Sequence, residues 1–151
     1  MLNKFTNRLR YFIELSYNGS DFHGWQSQPN AITVQETIEN SLQLLLKNKG
    51  LRIVGAGRTD TGVHAMQMFA HFDYDQNLEF NNLILKLNSF LGKNIYIKDI
   101  KKVSLNAHAR FDATLREYKY FITKVKDVHN FNTKFFFPKD LDYGEIDKAI
   151  N

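Results

Sequence analysis

Residues 55–65 read Gly55-Ala56-Gly57-Arg58-Thr59-Asp60-Thr61-Gly62-Val63-His64-Ala65. The segment combines three glycines with charged and polar side chains, a composition that a buried strand does not tolerate. It lies between two apolar stretches, residues 51–54 and 66–73, which are predicted to be strands. The sequence therefore predicts a glycine-rich loop that is displayed where two strands end, and the chain is organised around it.

Asp60 and Arg58 are the candidate reactive pair of this loop. If the segment is extended, residues two apart share a face, and the guanidinium lies beside the carboxylate. A cation within about 4–6 Å favours the ionised acid, and an ionised carboxylate on an open loop is suited to act as nucleophile or general base. The same pattern also marks tight turns with only a surface ion pair, worth about 0–1 kcal/mol. The spacing alone leaves both interpretations open.

Length and composition indicate one globular domain. The chain has 151 residues, 43% hydrophobic and 24% charged, which is ordinary for a packed protein. The absence of cysteine excludes disulfides, thiol catalysis and cysteine-ligated zinc, and the five histidines lack a spacing such as H-E-x-x-H, so no metal is predicted. No run approaches the ~20 apolar residues of a membrane helix, and no signal-peptide layout is present, so a cytoplasmic protein is expected.

Positive charge is concentrated in one part of the chain. Residues 93–126 contain nine basic and three acidic side chains, whereas the whole chain has a formal net charge of +4. Such a bias favours a polyanionic partner, most commonly a nucleic acid. A solubilising surface gives the same pattern, and the charge distribution alone favours that simpler interpretation.

The remaining periodicities predict an α+β fold, with helices packed on one face of a mostly antiparallel sheet. Predicted strands cover residues 10–17, 51–54, 66–73, 95–103 and 109–123, and predicted helices begin at Thr33, at Asn81 or Asn82, and at Asp142. Thr33 and Glu36 form a capping box for the first helix, and Gly50 and Gly92 are predicted to close the first two helices. The single tryptophan, Trp25, is predicted to be a packing anchor.

Four separated stretches resemble motifs of the tRNA pseudouridine synthases of the TruA type. In chain order they are Gly19-Ser20-x-Phe22-x-Gly24-Trp25-Gln26-x-Gln28, Thr33-Val34-Gln35, Ala56-Gly57-Arg58-Thr59-Asp60-x-Gly62-Val63-His64-Ala65, and His108-Ala109-Arg110-Phe111-x-Ala113 with Arg116-x-Tyr118-x-Tyr120. Each stretch alone is a weak signal, but four in this order are specific. The resemblance runs from Arg10 to about Thr123 and covers only the first part of the family's length.

The resemblance implies that residues 1–151 are the N-terminal, ferredoxin-like half of a pseudouridine synthase, and that the C-terminal half is absent. It implies an isomerase that converts uridine to pseudouridine at positions 38 to 40 of the tRNA anticodon stem-loop, as a homodimer without cofactor or metal. Asp60 matches the catalytic aspartate, Arg58 the arginine that pairs with it, and Tyr118 the tyrosine stacked on the target base. Arg110 and Arg116 are expected RNA contacts or ion-pair partners. The family's cleft lies between two halves, so the 151-residue piece should fold but be nearly inactive alone.

Several roles stay open at this point. Asp60 is suited to attack C1′, to attack C6 of the base, or to remove a sugar proton. A tyrosine in a strand is more often a core residue than a substrate contact, and the same caution applies to Tyr118. His64 and His108 are expected to be hydrogen-bonded scaffold residues rather than acid–base catalysts.

Two other function classes compete with the synthase. A non-catalytic RNA-binding module fits the basic bias and an open sheet face with aromatic and arginine side chains. Asp60-Thr61-Gly62 also spells the tripeptide of a dimeric aspartic protease, but the polar residues before Asp60 and the predicted helices argue against that class. A dinucleotide fingerprint starting at Gly55-x-Gly57 is excluded, because its third glycine position is Asp60 and strands flank the loop on both sides.

Overall fold

A computed structural model describes residues 8–150 of the chain. It divides into two compact units with the boundary between Thr114 and Leu115. The first unit contains β1 (Leu9–Tyr17), α1 (Val34–Leu45), β2 (Ile53–Gly55), β3 (Ala65–Tyr74), α2 (Phe80–Phe90) and β4 (Ile95–Val103). The second contains β5 (Ile122–Thr123), β6 (Phe135–Phe136) and α3 (Tyr143–Ile150).

The first unit is built on a four-stranded sheet with the order β2-β3-β1-β4. All three strand pairs are antiparallel, which confirms the predicted α+β class. β1 is central because its alternating sequence buries one whole face: Tyr11, Ile13 and Leu15 have no exposed surface. Next to β3 its register is irregular between Leu15 and Tyr17, so β3 carries one extra residue there.

Both helices of the first unit pack on this buried face of the sheet. α1 contributes Val34, Ile38 and Leu42, and α2 contributes Leu83 and Leu87, to one continuous hydrophobic cluster. Burying a side chain of this size stabilises the fold by about 1.5–3 kcal/mol. On the opposite face of the sheet, β1 carries partly exposed side chains such as Phe12, Glu14 and Ser16.

The predicted start of α1 is confirmed, but its predicted end is not. Thr33 Oγ1 accepts a hydrogen bond from Glu36 N–H at 3.3 Å, which satisfies one of the first-turn donors. The helix ends at Leu45, and Lys47, with φ 51°, takes the left-handed conformation that often follows a helix. The helix therefore ends before Gly50, which was predicted to close it.

The start of α2 also differs from the prediction. Asn81 and Asn82 lie inside the helix, which begins at Phe80. Phe80 packs edge-on against Tyr11 at 5.9 Å between ring centroids, so tertiary packing decides the start rather than the local capping preference. The end is as predicted: the helix stops before Gly92, which has φ 65°.

The predicted long fifth strand, residues 109–123, is wrong. Only Ile122–Thr123 is a strand, and it pairs in parallel with Phe135–Phe136 inside the second unit. The preceding segment turns instead: His108 N–H donates to Asp112 Oδ2 at 2.8 Å, and Asp112 N–H donates to His108 O at 2.9 Å. Such side-chain to backbone bonds compete with strand pairing. Tyr118 therefore does not lie in a strand.

The second unit is small and carries the predicted last helix. Glu145 N–H donates to Asp142 Oδ1 at 3.0 Å, a cap that confirms the predicted start of α3. In the part of the chain that the structure describes, no helix combines the length and the hydropathy that crossing a bilayer needs.

Candidate active site

The loop that carries Asp60 is closed by a tight turn. It joins β2 to β3, and Val63 N–H donates to Asp60 O at 3.2 Å. Gly62 stands at the third position of this turn with φ 79°, the value that a type II turn requires there. Both Asp60 and Arg58 are exposed to solvent. The turn presents the carboxylate outward instead of burying it in the sheet.

The predicted ion pair between Arg58 and Asp60 is not found. Within residues 8–150, neither side chain makes a hydrogen bond or an ion pair with the other. The prediction assumed an extended segment, in which residues two apart share a face. Arg58 and Asp60 are both exposed, on either side of the partly buried Thr59, so sharing the exposed side of the segment does not by itself bring their charges into contact. Thr59 Oγ1 lies 2.9 Å from the hydroxyl oxygen of Tyr17, which anchors the residue between the two charged ones.

The first motif stretch is the support of this loop. Three hydrogen bonds join the two segments: Trp25 N–H to Thr59 O at 3.0 Å, Gly62 N–H to Phe22 O at 3.2 Å, and Gly19 N–H to His64 Nδ1 at 3.1 Å. They hold the loop before, within and after the Asp60 turn. The exposed carboxylate is thus mounted on a backbone that is fixed at three points.

Close packing explains why this support contains a glycine and a tryptophan. Gly24 has φ 84°, and a Cβ on it would lie 2.4 Å from Thr59 O. Trp25 is only 2% exposed and packs near the Tyr17 ring, at 6.0 Å between ring centroids. The prediction of Trp25 as a packing anchor is confirmed. The backbones of the two segments meet with no room for a side chain at Gly24.

The second motif stretch ties the support to α1 and β2. The hydrogen bonds are Val34 N–H to Gly24 O at 3.2 Å, Gln35 N–H to Trp25 O at 3.0 Å, Ser27 N–H to Gln35 Oε1 at 3.1 Å, and Gln35 Nε2 to Ile53 O at 3.1 Å. The unpaired N–H groups at the start of a helix are natural donors for such carbonyls. Gln35 links the support directly to β2, the strand that leads into the Asp60 loop.

Glu39 is a buried residue of this network that the sequence analysis missed. Its carboxylate is 1% exposed and accepts from Ile53 N–H at 2.9 Å, Arg52 Nη1 at 2.8 Å and Gln35 Nε2 at 3.0 Å. A charged group at such depth is retained only with a full set of donors. Glu39 follows Ile38 of the apolar stripe of α1, and its position in the sequence gives no signal that its side chain is buried.

The start of the fourth motif stretch, at His108 and Ala109, lies over the second face of the sheet. Arg10 makes a bidentate pair with Asp73, at 2.7 and 2.9 Å, and donates to Ala107 O at 2.9 Å. His71 Nδ1 accepts Ala109 N–H at 3.1 Å. Hydrogen bonding to the Arg10 guanidinium keeps the pKa of Asp73 below its usual value. These contacts fix the segment that presents the exposed Arg110.

His71 is held neutral in this arrangement. Burial is the main cause that lowers its pKa to about 4, and the positive charge of Arg10 adds to the effect. The side chain is 4% exposed and stacks beside Phe12, at 5.8 Å between ring centroids. A neutral imidazole is also what the Ala109 contact needs, because Nδ1 must accept a hydrogen bond.

We expect the free energy of unfolding to fall as the pH is lowered from about 6.5 to 4 through His71. In this window the unfolded chain binds a proton at His71 and the folded chain does not, so protonation favours unfolding. The contribution is up to about 3 kcal/mol for a shift of this size. Urea unfolding at pH 7 and pH 4.5 should show a smaller difference for His71→Asn than for the wild-type protein. His129→Asn, on the exposed surface, is the control, and an equal loss in all three proteins would contradict the expectation.

The structure places the predicted site residues in two groups. Arg58, Asp60 and Arg110 are exposed side chains of the first unit, whereas Arg116 and Tyr118 belong to the second unit. Tyr118 is 73% exposed, so it is not a core residue of that unit. The role of each of these five side chains stays a prediction.

His64 and His108 are both hydrogen-bonded to the main chain, as expected. His64 Nδ1 accepts Gly19 N–H, and His108 Nδ1 accepts Arg110 N–H at 3.2 Å. Among the described residues, no three histidine, aspartate or glutamate side chains are grouped so that they would hold a metal ion.

Comparison with known sequences decides the family. Residues 15–112 match the family described as tRNA pseudouridine synthase. The chain belongs to this family. The matched range contains the support segment, the Asp60 loop and Arg110, while Arg116 and Tyr118 lie beyond it.

Curated relatives in the family are similar over almost the whole chain. A protein of Parabacteroides distasonis named tRNA pseudouridine synthase A is 48% identical over 141 residues, which is 93% of this chain and 56% of the relative. A protein of Bacteroides fragilis with the same name is 45% identical over the same shares. One of Listeria welshimeri is 37% identical over 93% of this chain and 57% of its own length. The chain thus spans little more than half the length of the curated relatives it matches.

Proposed function

We propose that the complete protein isomerises uridine to pseudouridine in tRNA, at positions 38 to 40 of the anticodon stem-loop. The observation that carries the proposal is the family match over residues 15–112, combined with an exposed Asp60 on a loop fixed at three points. A family match to a buried or disordered aspartate would not support chemistry. The arrangement here has the rigid backing and the open reactive group that a catalytic carboxylate needs.

The reaction defines what Asp60 would have to do. The C1′–N1 bond breaks, the uracil turns, C5 bonds to C1′, N1 takes up a proton and the C5 proton is released, so the product is an isomer. A uridine must first leave the helical stack to reach any side chain. A charged carboxylate on a fixed loop is suited to attack C1′ or C6, or to remove a sugar proton. A backbone that is already in place avoids reorganisation during the reaction.

The other site residues have proposed roles that fit their exposure. Arg58, next to Asp60 in the loop, would hold a phosphate or the flipped nucleotide, since it is exposed and makes no ion pair with Asp60. The Tyr118 ring would stack on the detached uracil, a contact worth ~1–3 kcal/mol. Arg110 and Arg116 would contact the RNA backbone, where guanidinium groups bind phosphates well.

We also propose that the site is completed by a second half of the enzyme and works in a homodimer in the cytoplasm, without cofactor or metal. The 141 aligned residues cover only 56% of the relatives named tRNA pseudouridine synthase A, and the basic segment at residues 93–126 suits a tRNA partner. The second unit exposes many large apolar side chains, among them Tyr118 and Phe121, and such patches mark interaction surfaces.

The test is to map pseudouridine in a tRNA transcript treated with the complete gene product and, separately, with the 151-residue chain. The complete protein should form pseudouridine at positions 38 to 40 without any added cofactor. The 151-residue chain should bind tRNA weakly and turn over at least about 100-fold more slowly, because a misplaced or incomplete site loses rates of this order. Full turnover by the short chain would refute the proposal that a second half completes the site. RNA binding without turnover by the complete protein would favour a non-catalytic RNA-binding module.

A further inference from the structure

A groove runs beside the Asp60 loop, at the end of the central strands. It has a volume of about 360 Å³, and its lining includes Ser16, His64, Met66, Lys93, Asn94 and Tyr96. His64 belongs to the catalytic loop itself, and Met66 follows at the start of β3. The groove is thus continuous with the loop that presents Asp60.

The sheet register explains the shape of the groove. Ser16 on β1 lies opposite Tyr96 on β4, and the irregular register of β3 places Met66 on the other side of Ser16. A small residue therefore forms a floor between two large ones. The outer strands are two strand spacings apart, about 9.6 Å, which leaves room between them for a planar base about 3.4 Å thick.

The walls of the groove are fixed to the support of the catalytic loop. Asn94 O accepts Asn18 N–H at 2.8 Å, and Asn94 Nδ2 donates to Asp21 Oδ2 at 2.8 Å. The next residue along the chain from Asn18 is Gly19, whose N–H binds His64 Nδ1. The groove and the Asp60 turn therefore share one hydrogen-bonded frame and keep a constant spacing.

That spacing corresponds to neighbouring nucleotides. The turn holds the Cα atoms of Asp60 and Val63 within about 7 Å, and His64 follows one Cα step of about 3.8 Å later. The wall of the groove at His64 is therefore within about 11 Å of Asp60. This upper limit is short enough for the groove and Asp60 to act on neighbouring nucleotides of one strand.

The exposed side chains of the groove have the chemistry of a nucleotide site. Tyr96 is 56% exposed and Met66 is 82% exposed, and within residues 8–150 the Tyr96 ring makes no contact with another aromatic ring. Lys93 is exposed and, in the same range, has no hydrogen-bond or ion-pair partner. Lys98, on the same strand face as Tyr96, is already engaged with Met66 O at 2.9 Å.

We infer that this groove binds the RNA nucleotide next to the target uridine. Its base lies between Tyr96 and Met66, and its phosphate is held by Lys93. The inference rests on the proposed function and adds a subsite to it: when the uridine is flipped toward Asp60, the strand beside it loses a stacking neighbour, and the groove supplies a replacement surface.

The test uses the complete protein with the Asp60→Asn substitution, so that binding is measured without turnover. The probe is a synthetic anticodon stem-loop RNA, with affinity measured by fluorescence anisotropy at several salt concentrations. Tyr96→Ala should weaken binding by about 5- to 100-fold, the range expected for one lost base stack, while Tyr96→Phe should retain it. Lys93→Met should weaken binding and reduce the salt dependence by about one phosphate contact.

Matched controls lie on α2, which packs on the opposite face of the sheet. Phe90 is exposed to the same fraction as Tyr96, 56%, and Lys86 is an exposed lysine of the same helix. Phe90→Ala and Lys86→Met should leave RNA affinity unchanged. Equal losses in the Tyr96 and Phe90 variants, or no loss in either, would overturn the subsite.

Failure of the subsite and failure of the proposed function can be told apart. With Asp60 intact, Tyr96→Ala should raise KM for the stem-loop and change kcat little, since the ring does not touch the reacting atoms. If every variant binds RNA equally and the wild-type protein makes pseudouridine, only the subsite is wrong. If the wild-type protein makes no pseudouridine but Tyr96→Ala still weakens RNA binding, the groove binds RNA and the enzymatic proposal is wrong.

Discussion

Replacing Asp60 with Asn in the complete protein is expected to abolish pseudouridine formation, with a fall in turnover of at least about 10³-fold. The amide keeps the size and the exposed position of the side chain but removes the negative charge that the chemistry requires. Because Asp60 is exposed and the turn is closed by its main-chain oxygen, the fold and the tRNA affinity should be preserved. Turnover is measured by pseudouridine mapping, and affinity by tRNA binding.

Asp75→Asn is the matched control for this prediction. Asp75 is also an exposed carboxylate of the first unit, and it follows directly after β3. It should retain wild-type turnover. If Asp60→Asn kept more than about a tenth of the activity, or lost tRNA binding together with it, the assignment of Asp60 as the reacting group would fail.

Gly24→Ala is expected to have the second-largest effect, although the residue carries no reactive group. A methyl group at this position would lie 2.4 Å from Thr59 O, a main-chain atom that Trp25 N–H holds in place. Either the support or the Asp60 loop must move. A displacement near 1 Å at a reacting group costs about 100-fold in rate, so turnover should fall by that order while part of the tRNA affinity remains.

Gly62→Ala separates this packing effect from backbone strain. Both glycines have positive φ, 84° and 79°, but a Cβ on Gly62 meets no atom within 4 Å. Gly62→Ala should therefore lose only about 1–2 kcal/mol of unfolding free energy. Thermal unfolding and turnover of the two variants, compared side by side, measure the difference. Equal effects would mean that the close approach of Gly24 to the loop is unimportant.

The sequence predicted most of the first unit because its periodicities are local. The alternation in β1 and the capping box of α1 depend on neighbouring residues, and both are found. The prediction of a fifth strand is wrong because this segment forms a turn that the Asp112 side chain holds. The predicted start of α2 is wrong because Phe80 packs on Tyr11, a contact between residues far apart in sequence.

In the candidate site too, local features could be predicted from the sequence, whereas contacts between distant segments could not. The motif residues could be recognised one by one, and the family resemblance assigned a role to Asp60. The sequence did not reveal that the first motif stretch supports the Asp60 loop. The hydrogen bonds that Trp25 and Gly62 donate join segments more than thirty residues apart. The Arg58–Asp60 ion pair was predicted from the two-residue spacing, which places both side chains on the exposed side of the segment without joining them. The buried Glu39 shows no pattern that distinguishes it from an exposed helix residue.

The most direct measurement of the central claim is the structure of the complete protein bound to an anticodon stem-loop RNA with the uridine flipped out. The account predicts an Asp60 carboxylate oxygen within about 3.5 Å of C1′, of C6, or of a sugar carbon that gives up its proton, the separation expected for reacting groups. The loop backbone should stay clamped by Trp25 and Gly62 as it is here. A flipped uridine bound elsewhere, with the Asp60 carboxylate facing solvent, would contradict it.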